Sequence, residues 1–117
     1  MIGIIGFGRF GKLTARYLAE DFDVFVFNRT DKSTEIKKTG ARKASLKTVC
    51  QQQIVILCVP ISTLKDVLVE IGPLLKKDSV VVDVCSVKVY PTQWMKASLP
   101  ETVSILATHP IFGPDSA

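Results

Sequence analysis

A glycine-rich segment near the start of the chain has the residue types and spacing of a phosphate-binding turn. Gly6-Phe7-Gly8-Arg9-Phe10-Gly11 has the pattern G-x-G-x-x-G, follows the apolar run Ile2–Ile5 and precedes apolar residues at helical spacing. The first glycine of this pattern permits a tight turn, the second lets a ligand reach the backbone, and the third lets the helix pack on the strand. Because a helix N-terminus attracts anions, the segment predicts that these six residues bind the pyrophosphate of a dinucleotide.

The end of the second predicted strand indicates which dinucleotide this is. Sites for NAD usually carry Asp or Glu there, which accept hydrogen bonds from the ribose, whereas this chain has Asn28, Arg29 and Thr30. Asn28 does not repel a 2′-phosphate, and Arg29 can bind one through two parallel hydrogen bonds. Thr30 can add a hydroxyl, and Lys32 adds positive charge. We therefore predict that NADP, rather than NAD, is the cofactor.

Polar residues also follow three later apolar runs, and a parallel sheet would bring these run ends to one edge. Cys58-Val59-Pro60 and Ser86 are predicted to surround the nicotinamide end of the cofactor crevice. His109, the only histidine, is a candidate catalytic residue, although a lone histidine also suits a structural role. Ser86 could equally cap a helix, and Asp83 could simply anchor its loop.

Short apolar runs alternate with amphipathic stretches along the whole chain, which predicts an α/β, doubly wound, mainly parallel sheet of the Rossmann type. We expect Thr30 or Asp31 to cap the second helix and Ser62 to cap the fourth. The predicted strands span residues 2–5, 24–27, 41–44, 54–59, 79–84 and 103–107. The predicted helices span residues 9–19, about 31–40, 45–52, 62–71 and 88–98.

Length and composition limit the classes of protein that the chain can represent. It has 117 residues, 47% hydrophobic and 22% charged, which fits one globular domain over residues 1–117. No apolar run approaches the roughly 20 residues that span a bilayer, and the residues that follow Met1 predict no secretory signal. Three cysteines without a C-x-x-C motif indicate neither a metal site nor a disulfide framework, and weakly favour a cytoplasmic location.

The net charge of +4 raises the question of nucleic-acid binding. Its basic residues crowd into one short stretch, between Arg29 and Lys47, where no aromatic side chain is interleaved for stacking on bases. We therefore expect no nucleic acid or membrane as a partner, and assign part of this charge to the cofactor phosphate.

Two later segments resemble the prephenate and arogenate dehydrogenases of tyrosine biosynthesis. They are Val82-Asp83-Val84-Cys85-Ser86-Val87-Lys88 and Thr108-His109-Pro110-Ile111-Phe112-Gly113-Pro114, which follow the glycine turn in the family's order. The Asn-Arg-Thr segment and Leu99-Pro100 are most similar to the NADP-using, arogenate-type branch. Ile111 stands where Met is common in the family, a conservative departure.

The resemblance implies an oxidative decarboxylation of arogenate or prephenate, in which hydride passes from the substrate ring to the nicotinamide. His109 would hydrogen-bond the ring hydroxyl and polarise or deprotonate it. Ser86 would hydrogen-bond the same hydroxyl or His109, which fixes the imidazole's orientation.

The family continues into a helical domain that clamps the substrate and forms a homodimer, and this chain stops at Ala117. We therefore expect residues 1–117 to bind NADP with little or no turnover alone. Two alternatives remain open: the cofactor domain of a 3-hydroxyacid dehydrogenase or imine reductase, and a stand-alone NADP-binding regulatory module.

Overall fold

The computed structural model describes the backbone of residues 1–84 and 89–107, and the side chains of residues 1–84 and 93–106. Its strands are β1 (Ile2–Ile5), β2 (Val24–Phe27), β3 (Arg42–Lys43), β4 (Ile54–Leu57), β5 (Val80–Asp83) and β6 (Ser104–Ala107). Its α-helices are α1 (Arg9–Leu18), α2 (Ser33–Lys38), α3 (Leu46–Cys50), α4 (Ile61–Ile71) and α5 (Val89–Ser98). None of the helices in these described segments is long and apolar enough to cross a membrane.

All six strands are parallel and lie in the order β3-β2-β1-β4-β5-β6. The chain starts in the middle of the sheet, winds outward to β3, and then crosses back to β4 beside β1. This confirms the predicted doubly wound Rossmann fold. The reversal of direction between β1 and β4 leaves a crevice at the carboxyl ends of the strands, which is where such sheets bind ligands.

Two apolar cores cover the two faces of the sheet, because successive strand residues point to opposite sides. Ile4 of β1 and Val26 of β2 belong to the core that includes Ala15 of α1 and Ile36 of α2. Ile5 and Val55 belong to the other core, with the buried residues of α3, α4 and α5. Burial on both faces explains why the central strands are almost wholly apolar in sequence.

Most predicted elements differ from the structure by one or two residues at an end, and three differences lie next to the cleft. Strand β4 ends at Leu57, two residues before the predicted end, because the chain turns toward α4 at Cys58. Helix α4 begins at Ile61 after Pro60, so Ser62 lies inside the helix and the prediction that it caps α4 is wrong. Lys32 occupies the N-cap position of α2, and the predicted cap Asp31 instead accepts a hydrogen bond from the Ser33 N–H at 3.0 Å.

Replacing Leu68 by Ala should strongly destabilise the domain. Leu68 is fully buried in the core beneath α4, so the substitution should lower the free energy of unfolding by about 2–5 kcal/mol. Val69, its neighbour on the same helix, is 63% exposed, and Val69→Ala should change stability by about 0.5 kcal/mol or less. Urea denaturation of both variants measures the difference, and equal losses would contradict the packing described here.

Candidate functional site

A cleft of about 680 Å³ opens at the carboxyl edge of the sheet. Its walls come from the glycine turn after β1, the loop between β2 and α2, the loop between β4 and α4, and one face of α4. The predicted cofactor residues that line it are Gly6, Phe7, Gly8, Arg9, Phe10, Asn28, Arg29, Thr30, Lys32, Cys58, Val59 and Pro60. The structure thus brings together three segments that lie far apart in the chain.

The glycine turn has the geometry that its sequence pattern predicts. Gly6 has a φ angle of +101°, a conformation that side chains with a Cβ rarely adopt. A Cβ on Gly11 would lie 2.4 Å from the Gly6 carbonyl oxygen, so the start of α1 is packed directly on the turn. These two constraints hold the N-terminus of α1 over the end of β1.

Gly8 differs from the other two glycines because its surroundings are open. A Cβ built there would meet no protein atom within 4 Å, and no side chain caps α1 at this N-cap position. The turn therefore leaves space beside backbone at a helix N-terminus, which is the environment that favours a pyrophosphate. Gly11 completes the motif without lining the cleft.

Asn28 joins the glycine turn to the loop after β2. Its Oδ1 accepts a hydrogen bond from the Phe7 N–H at 2.9 Å, and its Nδ2 donates to the Thr30 carbonyl oxygen at 3.0 Å. The sequence predicts a residue that merely tolerates a 2′-phosphate. The structure adds that its amide contacts protein backbone on both sides.

Basic side chains line the cleft on the side of the β2–α2 loop. Arg29 and Thr30 are exposed, and Lys32 is partly exposed. The Lys32 Nζ lies 3.7 Å from Oε2 of Glu35. Within the described part of the chain, Arg29 forms no ion pair with a carboxylate. No described carboxylate therefore competes with a ligand for its guanidinium.

Asp31 is the one carboxylate in the loop between β2 and α2, and its side chain binds other parts of the protein. Its Oδ1 accepts hydrogen bonds from the hydroxyl and the N–H of Ser33 and from Lys43 Nζ, the last at 3.3 Å. The Ser33 hydroxyl, then the Ser33 N–H, then Lys43 lower the pKa of Asp31 to about 2. Because Asp31 is paired in this way and does not line the cleft, the charged groups that this loop presents to the cleft are Arg29 and Lys32.

The loop after β4 forms the opposite wall. Cys58 continues the sheet by donating its N–H to the Ile5 carbonyl oxygen at 2.8 Å, and Cys58 and Val59 are both partly buried. A Cβ on Gly6 would meet the Cys58 carbonyl oxygen at 2.5 Å, so this wall and the glycine turn are in direct contact.

Residues that the sequence does not single out as site residues also line the cleft. They are Ile5, Phe27, Leu46, Thr63, Val67, Glu70 and Val84. Thr63, Val67 and Glu70 follow the i, i+4, i+7 spacing of one helix face. That spacing, next to the turn after β4, is the signal that could have identified this face of α4.

Two predicted residues lie outside the described part of the chain. These are the candidate catalytic residues, Ser86 and His109. Asp83, at the end of β5, is fully buried, and Val84 after it lines the cleft. The neighbouring strand end therefore does reach the cleft, and the roles of Ser86 and His109 stay predictions.

Comparison with known protein families bears directly on this cleft. The family model described as "Prephenate dehydrogenase, nucleotide-binding domain" matches residues 21–117. The chain belongs to the prephenate dehydrogenase family. The glycine turn precedes the matched residues, but the alignments with individual relatives extend over nearly the whole chain.

Two relatives of this chain are an Arabidopsis protein and a Methanocaldococcus protein. The chain is 35% identical over 120 residues to arogenate dehydrogenase 1, chloroplastic, of Arabidopsis thaliana, covering 98% of this chain and 19% of that protein. It is 31% identical over 111 residues to a probable arogenate/prephenate dehydrogenase of Methanocaldococcus jannaschii, covering 91% of this chain and 25% of that protein. The chain therefore spans a quarter or less of the length of these two relatives.

Solved structures share the fold. Prephenate dehydrogenase from Aquifex aeolicus has a TM-score of 0.81 at 18% identity, covering 99% of this chain and 46% of that one. An imine reductase from Myxococcus stipitatus in complex with NADP+ has a TM-score of 0.77 at 22% identity, covering 98% and 42%, and its V8 variant is in complex with NAD+. At these identities the likeness supports the Rossmann architecture and no finer property.

The hydrogen bonds around Asp31 predict an order of effects on its pKa. Since the Ser33 hydroxyl is the largest cause of the low value, Ser33→Ala should raise the pKa of Asp31 more than Lys43→Ala does. The depressed pKa means that Asp31 stabilises the folded loop above pH about 4, and that this contribution is lost as the pH falls through about 2. Carboxyl-carbon NMR titration measures both variants. Lys47→Ala, which removes a lysine without a described bond to Asp31, should leave the titration unchanged, and a larger shift from Lys43→Ala than from Ser33→Ala would contradict this order.

Proposed function

We propose that this chain binds NADP as the cofactor domain of an arogenate or prephenate dehydrogenase. The observation that carries the proposal is a single cleft that combines an open glycine turn at a helix N-terminus with Arg29, at the end of β2, which forms no ion pair with any described carboxylate. These are the two positions that a Rossmann fold uses for the pyrophosphate and for the adenosine ribose.

A nicotinamide dinucleotide is the cofactor class that this cleft fits. The open space beside Gly8 would receive the pyrophosphate, whose charge suits the start of α1. Related folds solved with NADP+ and with NAD+ support this class without separating the two cofactors.

Electrostatics at the end of β2 favour NADP over NAD. The position that carries Asp or Glu in NAD sites holds Asn28, and Asp31 is engaged by Ser33 and Lys43. Arg29, Thr30 and Lys32 line the cleft there and would surround a 2′-phosphate with cationic and hydroxyl groups.

The part of the cleft lined by Leu46 and Val67 would hold the adenine. These two side chains provide apolar surface, and Thr63 and Glu70 add polar atoms to the lining. This arrangement matches the usual composition of cofactor sites, in which apolar walls surround a few polar groups.

The proposed reaction is the oxidative decarboxylation of arogenate or prephenate in tyrosine biosynthesis, with the bound cofactor accepting the hydride. His109 would accept the proton of the ring hydroxyl, and Ser86 would orient His109 or the hydroxyl by a hydrogen bond. Both roles derive from the resemblance of the two motifs.

Turnover by the whole protein is proposed to need more than these 117 residues. The matched dehydrogenase structure is more than twice as long as this chain. We propose that the remaining part supplies the substrate clamp and the homodimer contact, and that the protein works in a reducing, cytoplasmic compartment.

Arg29→Ala should reduce NADP binding selectively. Loss of the guanidinium should weaken NADPH binding by about 10-fold or more, because a hydrogen bond to a charged group contributes about 1.5–3 kcal/mol, and should change NADH binding little. Lys38→Ala removes an equal charge from an exposed residue that does not line the cleft and is the matched control. Isothermal titration with both cofactors measures this, and tighter binding of NADH than NADPH by the wild-type chain would refute the assignment.

His109→Asn should separate chemistry from cofactor binding. In an active longer form of the protein, this variant should lose most of kcat with arogenate or prephenate while its affinity for NADPH stays within about 3-fold, because the imidazole acts on the substrate proton. Unchanged kcat would remove His109 from the mechanism. The 117-residue chain assayed in parallel should show little or no turnover, and substrate-dependent NADPH formation by it would contradict the proposed need for further residues.

A further inference from the structure

Both polar atoms of the Asn28 side chain form hydrogen bonds to the protein backbone. Its Oδ1 receives the Phe7 N–H from the glycine turn at 2.9 Å, and its Nδ2 reaches the Thr30 carbonyl oxygen at 3.0 Å. Asn28 therefore contacts both places where we propose that cofactor phosphates bind.

The hydrogen bond from the Phe7 N–H to Asn28 adds to the backbone hydrogen bonds that join the glycine turn to β2. The Gly6 N–H donates to the Phe27 carbonyl oxygen at 2.9 Å, which is the last backbone bond between the turn and β2. The Asn28 bond extends this attachment by one residue, to a backbone N–H that sheet pairing does not satisfy. The position of the glycine turn thus depends on the residue that follows β2.

The second hydrogen bond closes a small ring around Arg29. Because Nδ2 of Asn28 binds the carbonyl two residues later, the backbone of Arg29 is held inside a side-chain turn. The Asp31 bond to the Ser33 N–H restrains the other end of the loop. The guanidinium consequently starts from a backbone whose conformation is set before any ligand arrives.

We propose that Asn28 is a positioning residue that sets the preference for NADP by coupling the pyrophosphate turn to the Arg29 loop. This inference rests on the proposed function. Asparagine suits the role because it offers an acceptor and a donor on one short side chain, whereas aspartate keeps the acceptor and lacks the donor. A loop ordered in advance costs less entropy when the 2′-phosphate binds.

The test compares the affinities of NADPH and NADH for the 117-residue chain carrying Asn28→Ala or Asn28→Asp. Asn28→Ala should weaken NADPH binding by about 10-fold and NADH binding by about 3-fold, because one bond serves both cofactors and the other serves only the 2′-phosphate loop. Asn28→Asp should retain NADH affinity and lose NADPH affinity. Gln53→Ala is the matched control, because it removes a hydrogen bond from a side-chain amide, Gln53 Nε2, to the Asp78 carbonyl oxygen. It should leave the ratio of the NADPH and NADH affinities unchanged.

A double-mutant cycle with Arg29→Ala separates positioning from a general loss of structure. In the Arg29→Ala background, Asn28→Ala should weaken NADPH and NADH binding by the same factor, since the loop no longer carries the phosphate ligand. The proposal is overturned if Asn28→Ala lowers both affinities equally in the wild-type background, or if its effect on NADPH is the same with and without Arg29.

Amide hydrogen exchange of the cofactor-free chain tests the hydrogen bond between Phe7 and Asn28 independently of the proposed function. The Phe7 N–H should exchange faster in Asn28→Ala than in wild type and stay protected in Asn28→Asp, which keeps the acceptor. If the Phe7 N–H exchanges at the wild-type rate in Asn28→Ala, Asn28 does not hold the glycine turn. If the wild-type chain binds neither cofactor, the proposed function and the preference role both fail, while the exchange result still decides whether Asn28 holds the turn.

Discussion

The contact between the glycine turn and the ends of β1 and β4 is the constraint on which the site depends. A Cβ at Gly6 would meet the Cys58 carbonyl oxygen at 2.5 Å, and one at Gly11 would meet the Gly6 carbonyl oxygen at 2.4 Å. Backbone therefore packs on backbone at the switch point of the sheet. This packing brings the N-terminus of α1 to the crevice, where its dipole and its open backbone can act on an anion.

The loop after β2 depends on that turn in the same way. Asn28 ties the loop to the turn, and Asp31 ties it to α2 and β3 through Ser33 and Lys43. The one carboxylate of this loop is thereby paired, and the side chains of Arg29 and Lys32 line the cleft beside it. These hydrogen bonds thus fix the conformation of the loop that carries Arg29 and Lys32.

The sequence predicts most of the fold because its signals are local and mutually consistent. The glycine pattern, the apolar runs and the helical spacing of the Leu64–Ile71 face each agree with the element that forms. The exact start of α4 cannot be predicted from local sequence, since Pro60 and Ser62 are both acceptable near a helix N-terminus. Tertiary packing decides between them, and the helix begins at Ile61.

The site is only partly predictable for a different reason. The partner of the Asn28 amide, Phe7, lies 21 residues earlier, and the two meet because β1 and β2 pair in register from Ile2 opposite Val24 to Ile5 opposite Phe27. Leu46 and Glu70 likewise reach the cleft only through the packing of α3 and α4. Residue types indicate what a site can bind, whereas the register of the sheet decides which side chains are left for the ligand.

A crystal structure of the chain with NADPH would show directly whether the glycine turn and Arg29 bind the two phosphate groups. The pyrophosphate should lie beside Gly8 at the start of α1, and the 2′-phosphate should lie within hydrogen-bonding distance of the Arg29 guanidinium. The Asn28 amide should keep its hydrogen bonds to Phe7 and Thr30. A cofactor bound away from the glycine turn, or a 2′-phosphate turned away from Arg29 into solvent, would contradict the proposed binding mode.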